Sequence, residues 1–171
     1  MTYTLAQPAA VTTWRFFAAG EPKGQPRPRA FVRNGHARVY DAGTAEGWKS
    51  CIAIGARGNG PPDPLTGPVS LEVEFFMPRP KGHYGSGRNA HVLKDTAPLW
   101  HVGKPDIDNA IKACLDALTM LGAWLDDAQV CSLISAKRYA DDHRLGAWIT
   151  IHDLSRRVAG EATRTGVNNE R

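Results

Sequence analysis

Residues 104–130 read KPDIDNAIKACLDALTMLGAWLDDAQV. From Ile107 the apolar positions Ile111, Cys114, Leu115 and Leu118 fall at offsets of four, seven, eight and eleven, one continuous helical stripe. The spacing predicts a helix that buries this stripe and is closed by Gly122. Pro105 biases the backbone before the helix toward an extended form. Side chains two apart in an extended segment point alike, so Asp106 projects to the same side as Asp108. Asp108, Lys112 and Asp116 follow one another at i,i+4 steps on the polar side, which lets Asp108 and Lys112 share a surface. The closing WLDDAQV, residues 124–130, leads into a strand whose adjacent side chains face opposite ways, so only one of Asp126 and Asp127 readily joins Asp106 and Asp108. For an isolated acidic pair, a polar turn before a strand is the plainer reading.

Working outward, the flanking segments alternate in type. TTWRFFAAG at 12–20 is rich in β-branched and aromatic residues and reads as a strand stopping at Gly20. TAEGWKSCIAIGAR at 44–57 sets Trp48, Cys51, Ile52 and Gly55 at helical spacing, with Thr44 as N-cap; Gly47 and Gly55 weaken it. After the breaker cluster GNGPPDP, the segment PVSLEVEFFMP alternates Val69, Leu71, Val73 and Phe75 with Ser70, Glu72 and Glu74, the period of a half-buried strand. A long loop over 79–104 precedes the central helix. Strands are predicted at 130–139 and 145–153, the latter with Leu145, Ala147, Ile149 and Ile151 on one face. The alternation places the chain in the α/β class. Residues 1–155 are expected to form one domain, and the polar, aperiodic residues 156–171 a disordered tail.

Composition narrows the function classes. A chain of 171 residues with 42% hydrophobic content can bury one substantial core. No apolar run approaches the ~20 residues of a membrane span, and the first residues lack a basic segment followed by an apolar one, so a soluble cytoplasmic protein without a membrane partner is expected. Cys51, Cys114 and Cys131 are odd in number and widely spaced, which argues against a disulfide framework or a zinc site and for small core residues. The six histidines show no i,i+4 metal pairing and are expected mostly at the surface.

The net charge of +4 gathers in one stretch. Between Glu21 and Arg38 the chain carries Lys23, Arg27, Arg29, Arg33 and Arg38 against a single acid, threaded through Pro22, Pro26 and Pro28. Proline stiffens such a segment, lowering the entropy lost when basic side chains meet a row of phosphates; a solvated loop is the plainer alternative. PRPKGHYGSGRNAHVLK at 78–94 matches neither a P-loop nor a dinucleotide fingerprint, and its GSG reads as a flexible loop.

Two anions converging at one helix entrance repel even where the helix dipole favours negative charge, so a hard cation with oxygen ligands belongs between them. An EF-hand loop starting at Asp106 fails, because its sixth position is Ile111 where Gly is needed and its twelfth is Ala117 where Glu is needed. Magnesium suits better, since it takes one or two carboxylates, keeps several waters and completes its shell with phosphate. The motif therefore points to phosphate chemistry.

The 104–130 block resembles the signature of the RusA family of Holliday junction resolvases, and GEPKGQPRPR at 20–29 resembles the family's N-terminal region. The likeness is specific in that block and looser over 14–153. It implies a two-layer α/β homodimer, a small mixed sheet with two main helices packed on it. The activity it implies is that of a bacterial or phage-encoded crossover junction endodeoxyribonuclease, a hydrolase that nicks opposed strands of four-way or other branched DNA in recombination and repair. Magnesium would be the cofactor, with manganese able to substitute. By motif position Asp106, Asp108 and Asp127 would be metal-binding catalytic carboxylates, Lys112 the supporting catalytic lysine, and Asp126 a neighbour. A plainer role for Lys112 is an i,i+4 partner of Asp108 worth ~0.2–0.5 kcal/mol. Lys23, Arg27, Arg29, Arg33 and Lys104 would grip DNA phosphates. The long loop at 79–103 and the tail depart from the family's compact pattern, which bears on substrate preference. The carboxylates alone would also permit a magnesium-dependent phosphohydrolase acting on nucleotides. A non-catalytic branched-DNA-binding protein is the third reading.

Overall fold

The computed structural model describes residues 12–25, 29–33, 36–40, 45–141 and 144–155. Strand β1, Thr12–Ala19, pairs antiparallel with the last strand, β6, Gly146–Asp153. The antiparallel hairpin of β2, Arg29–Arg33, and β3, His36–Tyr40, comes next, then helix α1, Glu46–Ala56, and strand β4, Val69–Met77. Helix α2, Ile107–Met120, leads through a 3-10 turn, Asp127–Gln129, into β5, Val130–Tyr139. The main sheet has the order β1-β6-β4-β5. β4 pairs antiparallel with β6 but parallel with β5, so the chain must cross over between them, and α2 lies in that crossover. The sheet is thus mixed, in an α/β fold with two main helices.

Period-two patterning separates the two faces of the sheet. Phe16 and Ala18 of β1, Leu71, Val73 and Phe75 of β4, and Ile149 and Ile151 of β6 are buried with Trp48 and Ile52 of α1 and Ile111, Cys114 and Leu118 of α2. The alternate residues form the second face, where Phe17 meets Trp148 edge-on at 5.2 Å and the Arg15 guanidinium lies 4.6 Å above the Trp148 ring. α2 ends as the sequence predicts: Gly122 has φ +73°, and the Ala123 N–H reaches back to the Leu118 carbonyl at 3.0 Å. Gly55 does more than weaken α1, for a Cβ there would sit 2.6 Å from the Phe17 carbonyl oxygen; its absence lets α1 lie directly on β1.

Several expectations change. The basic stretch read as an extended loop contains the β2–β3 hairpin. Ala45 takes the N-cap position of α1, without a side-chain hydrogen bond, while Thr44 lies outside the described residues. Cys114 is a core residue whose thiol burial pushes up to about 12, but Cys51 is only half-buried and Cys131 is exposed. The 78–94 stretch folds back on itself, with the Gly85 N–H on the Val92 carbonyl and the Lys94 N–H on the His83 carbonyl. His83, His101 and His152 are half-buried. No helix among the described residues is long and apolar enough to cross a membrane. The expected tail, 156–171, lies outside the described residues.

Candidate functional site

Asp106 occupies the N-cap position of α2 in extended backbone, φ −65° and ψ 149°, and its carbonyl accepts the Ala110 N–H at 3.0 Å. Its carboxylate makes no capping hydrogen bond and is exposed, as is that of Asp108 in the first turn. Asp106 therefore does not serve as an ordinary side-chain cap, although the position favours negative charge. It borders a shallow hollow of about 520 Å³ with Trp100, His101, Ile107, Ser135, Ala136 and Lys137. Two of the lining residues each carry a buried polar atom without a protein hydrogen-bond partner, His101 Nδ1 and Ser135 Oγ. Burial, and secondarily the Lys137 ammonium, hold the His101 imidazole below its ordinary 6.5; its ring stands edge-on to Tyr139 at 4.9 Å.

Asp127 lies elsewhere. It is the first residue of the 3-10 turn and is exposed in a second hollow, of about 360 Å³, with Lys49, Asp116, Thr119, Met120 and Asp126. Asp126 is committed to local structure: its carboxylate accepts the Ala128 N–H at 2.8 Å, and the Gln129 side chain returns to the Asp126 N–H at 3.0 Å, a complete capping box. Gln129 also donates to the Leu65 and Gly67 carbonyls, both at 2.9 Å. Lys112 pairs forward with Asp116 at 3.1 Å, and the largely buried Lys49 of α1 stands 3.8 Å from the other Asp116 oxygen. The expected partnership of Lys112 with Asp108 thus has a competitor one turn on, at the same i,i+4 spacing.

At 1.5 Å per residue, α2 separates the Asp106 hollow from the residues at its C-terminal end by about 20 Å. Within one chain the structure brings Asp106 and Asp108 to the same helix end and Asp127 to the other. Among the described residues no three His, Cys, Asp or Glu side chains gather closely enough to hold a metal ion. The available oxygen donors nevertheless fit a hard cation, since carboxylates are the usual protein ligands of such an ion.

The proximal part of the basic arm meets this end of α2. The Gln25 N–H donates to the Asn109 carbonyl at 2.9 Å, and a Cβ on Gly24 would come within 2.9 Å of Pro105 Cβ and 3.0 Å of Asn109 Cβ. Lys23 and Lys104 are both exposed, Lys104 two residues before Asp106 and Lys23 in an ion pair with Glu21 at 2.5 Å. Arg27 lies outside the described residues; Arg29 and Arg33 belong to β2, with side chains outside them. Sequence reading missed Lys137 and Lys49, because each arrives from another element and stands in no motif.

A family model described as Endodeoxyribonuclease RusA matches residues 19–151. The chain is 36% identical over 138 residues to the uncharacterized protein YqaN of Bacillus subtilis (strain 168), covering 79% of this chain and 94% of that protein. It is 27% identical over 105 residues to the crossover junction endodeoxyribonuclease rusA of Enterobacteria phage 82, covering 61% of this chain and 69% of that protein.

Proposed function

The chain belongs to the RusA endodeoxyribonuclease family, and from that premise we propose that it resolves four-way DNA junctions by paired, metal-dependent nicks during recombination and repair. The observation that carries the reading is the exposed carboxylate pair Asp106 and Asp108 at the entrance of α2, which the Gly24–Gln25 backbone of the basic arm meets at Pro105 and Asn109. Carboxylates facing solvent next to a basic arm repel DNA phosphate unless a cation lies between, so a binding module gains nothing from them.

Asp106, Asp108 and Asp127 would hold magnesium, or manganese in its place. When bound, the ion supplies positive charge to the scissile phosphodiester and lowers the pKa of an attacking water. Lys23, Arg27, Arg29, Arg33 and Lys104 grip backbone phosphates irrespective of sequence. Lys112, steadied by Asp116, offsets charge developing on the phosphate. Asp126 holds the turn that presents Asp127.

The separation of Asp127 from Asp106 supports a homodimer as the working unit. β5 is an edge strand, and among the described residues no strand pairs with its outer side from 131 to 136. Leu133 and Ile134 are 48% and 61% exposed there. Such an edge invites a second chain. In an antiparallel two-fold pairing the start of one β5 lies by the end of the other, which would set Asp127 of one protomer near the Asp106 hollow of its partner. Two such sites would match the two cuts that a four-way junction needs.

The test incubates purified protein with a synthetic four-way junction and a matched linear duplex, with and without magnesium. Paired nicks in the junction alone, lost by at least about a hundredfold in Asp108→Asn while junction binding persists, are expected. Hydrolysis of free nucleotides without junction cutting would favour a nucleotide phosphohydrolase, and metal-independent binding without products a non-catalytic protein.

A further inference from the structure

The ammonium that borders the Asp106 hollow belongs to Lys137, near the C-terminal end of β5. It donates to the Gly103 carbonyl at 2.8 Å and to the Pro105 carbonyl at 2.5 Å. These two carbonyls bracket the backbone immediately before Asp106. The main chain of the same strand secures the stretch further upstream: the His101 N–H donates to the Lys137 carbonyl at 3.2 Å and the Tyr139 N–H to the Leu99 carbonyl at 2.9 Å. Residues 137–139 therefore hold the path from 99 to 105, and Lys137 is the member that reaches its last step with a side chain.

We propose that Lys137 is a positioning residue for cleavage, one that fixes the 103–105 turn and through it the direction of the Asp106 and Asp108 carboxylates. The inference rests on reading those carboxylates as the cleavage site. Two features set it apart from ordinary loop packing. Both described hydrogen bonds of the ammonium go to carbonyls directly ahead of the carboxylates and none into the hydrophobic core, so its removal leaves the core intact. A cation bordering the same hollow as Asp106 also offsets part of the repulsion between two neighbouring carboxylates, which a neutral donor would not do. Partners that orient metal-binding groups from behind typically change metal affinity or activity by about 10–100-fold when lost.

The experiment compares Lys137→Met, which keeps the apolar stem and removes the donors, with Lys137→Arg, which restores charge and donors, and Lys137→Gln, which retains a neutral donor. Deuterium uptake of the metal-free protein is read over 99–110 and over the interior of α2. The magnesium concentration giving half-maximal junction nicking and the metal-free junction affinity are measured alongside. For Lys137→Met we expect faster uptake confined to 101–108, a half-maximal magnesium concentration raised by about tenfold or more, and junction affinity within about twofold of the wild type. Arginine should recover most of the magnesium response and glutamine only part. Wild-type uptake with an unchanged magnesium response in Lys137→Met, or full recovery by glutamine, would overturn the proposal. An Asp108→Asn variant that still nicks normally would instead sink the cleavage-site reading, leaving the uptake result to stand or fall by itself.

Discussion

Asp126 and Asp127 are chemically identical neighbours, and the structure predicts opposite consequences for losing them. Asp126→Ala removes the acceptor of the Ala128 N–H, but the rest of the turn survives: Gln129 still takes the Leu125 and Asp126 N–H groups and still reaches the Leu65 and Gly67 carbonyls. Loss of one exposed cap costs about 1 kcal/mol. In a chain of this length that lowers Tm by about 2–4 °C, and cleavage should stay within a few-fold of wild type. Asp127→Asn keeps the shape of a side chain that no described hydrogen bond or ion pair holds, so stability should change by less than about 0.5 kcal/mol. Junction nicking should nevertheless fall by about a hundredfold or more if Asp127 is a metal-binding carboxylate. Thermal denaturation followed by circular dichroism and a nicking assay on the same preparations separate the two effects. An Asp126→Ala protein that is stable but inactive, beside a fully active Asp127→Asn protein, would show that the roles are assigned the wrong way round.

Ile149→Ala empties a fully buried position between sheet and helices and should cost about 3 kcal/mol, read as a lower urea midpoint with unchanged slope. Gly24→Ala forces a Cβ against Pro105 and Asn109 and should cost about 1–3 kcal/mol, with faster deuterium uptake at 22–25; unaltered uptake would mean that the arm does not depend on that contact. At pH 8 the exposed Cys131 should react first with a thiol reagent, while Cys114, its pKa raised to about 12 by burial, stays thiol and unlabelled until the protein unfolds. Ile134→Lys charges the edge of β5 that no described strand covers, and if the proposed dimer forms there light scattering should report a smaller particle than for the wild type; an unchanged mass for a dimeric wild type would place the interface elsewhere.

How much of this was legible in the sequence depends on the range of the interaction concerned. The alternation of Val69, Leu71, Val73 and Phe75 gives β4, and the stripe from Ile111 to Leu118 gives α2, because which face is apolar is settled by neighbours a few residues away. Gly122 at the helix end and the extended backbone at Asp106 follow from equally local rules. The β2–β3 hairpin was missed although its signal stands in the sequence: an Asn-Gly pair, Asn34 and Gly35, separates RAFVR from HARVY, in which Ala37 and Val39 alternate with polar residues, and the density of arginine and proline in the arm masked it.

Sequence by itself thus determined the carboxylate motif at a helix entrance, the α/β class and the likeness to a nuclease family, all of which reside in contiguous residues. Tertiary structure alone decided the rest. Only the crossover from β4 to β5 sends Asp127 to the opposite end of α2 from Asp106, and only the parallel pairing of β5 carries Lys137 back to the carbonyls before Asp106. Likewise, Lys112 has two acids at identical spacing, Asp108 before it and Asp116 after it. Local sequence rules favour the acid on the N-terminal side, Asp108; in the fold Lys112 pairs with Asp116 at 3.1 Å, an acid that Lys49 of α1 also approaches at 3.8 Å.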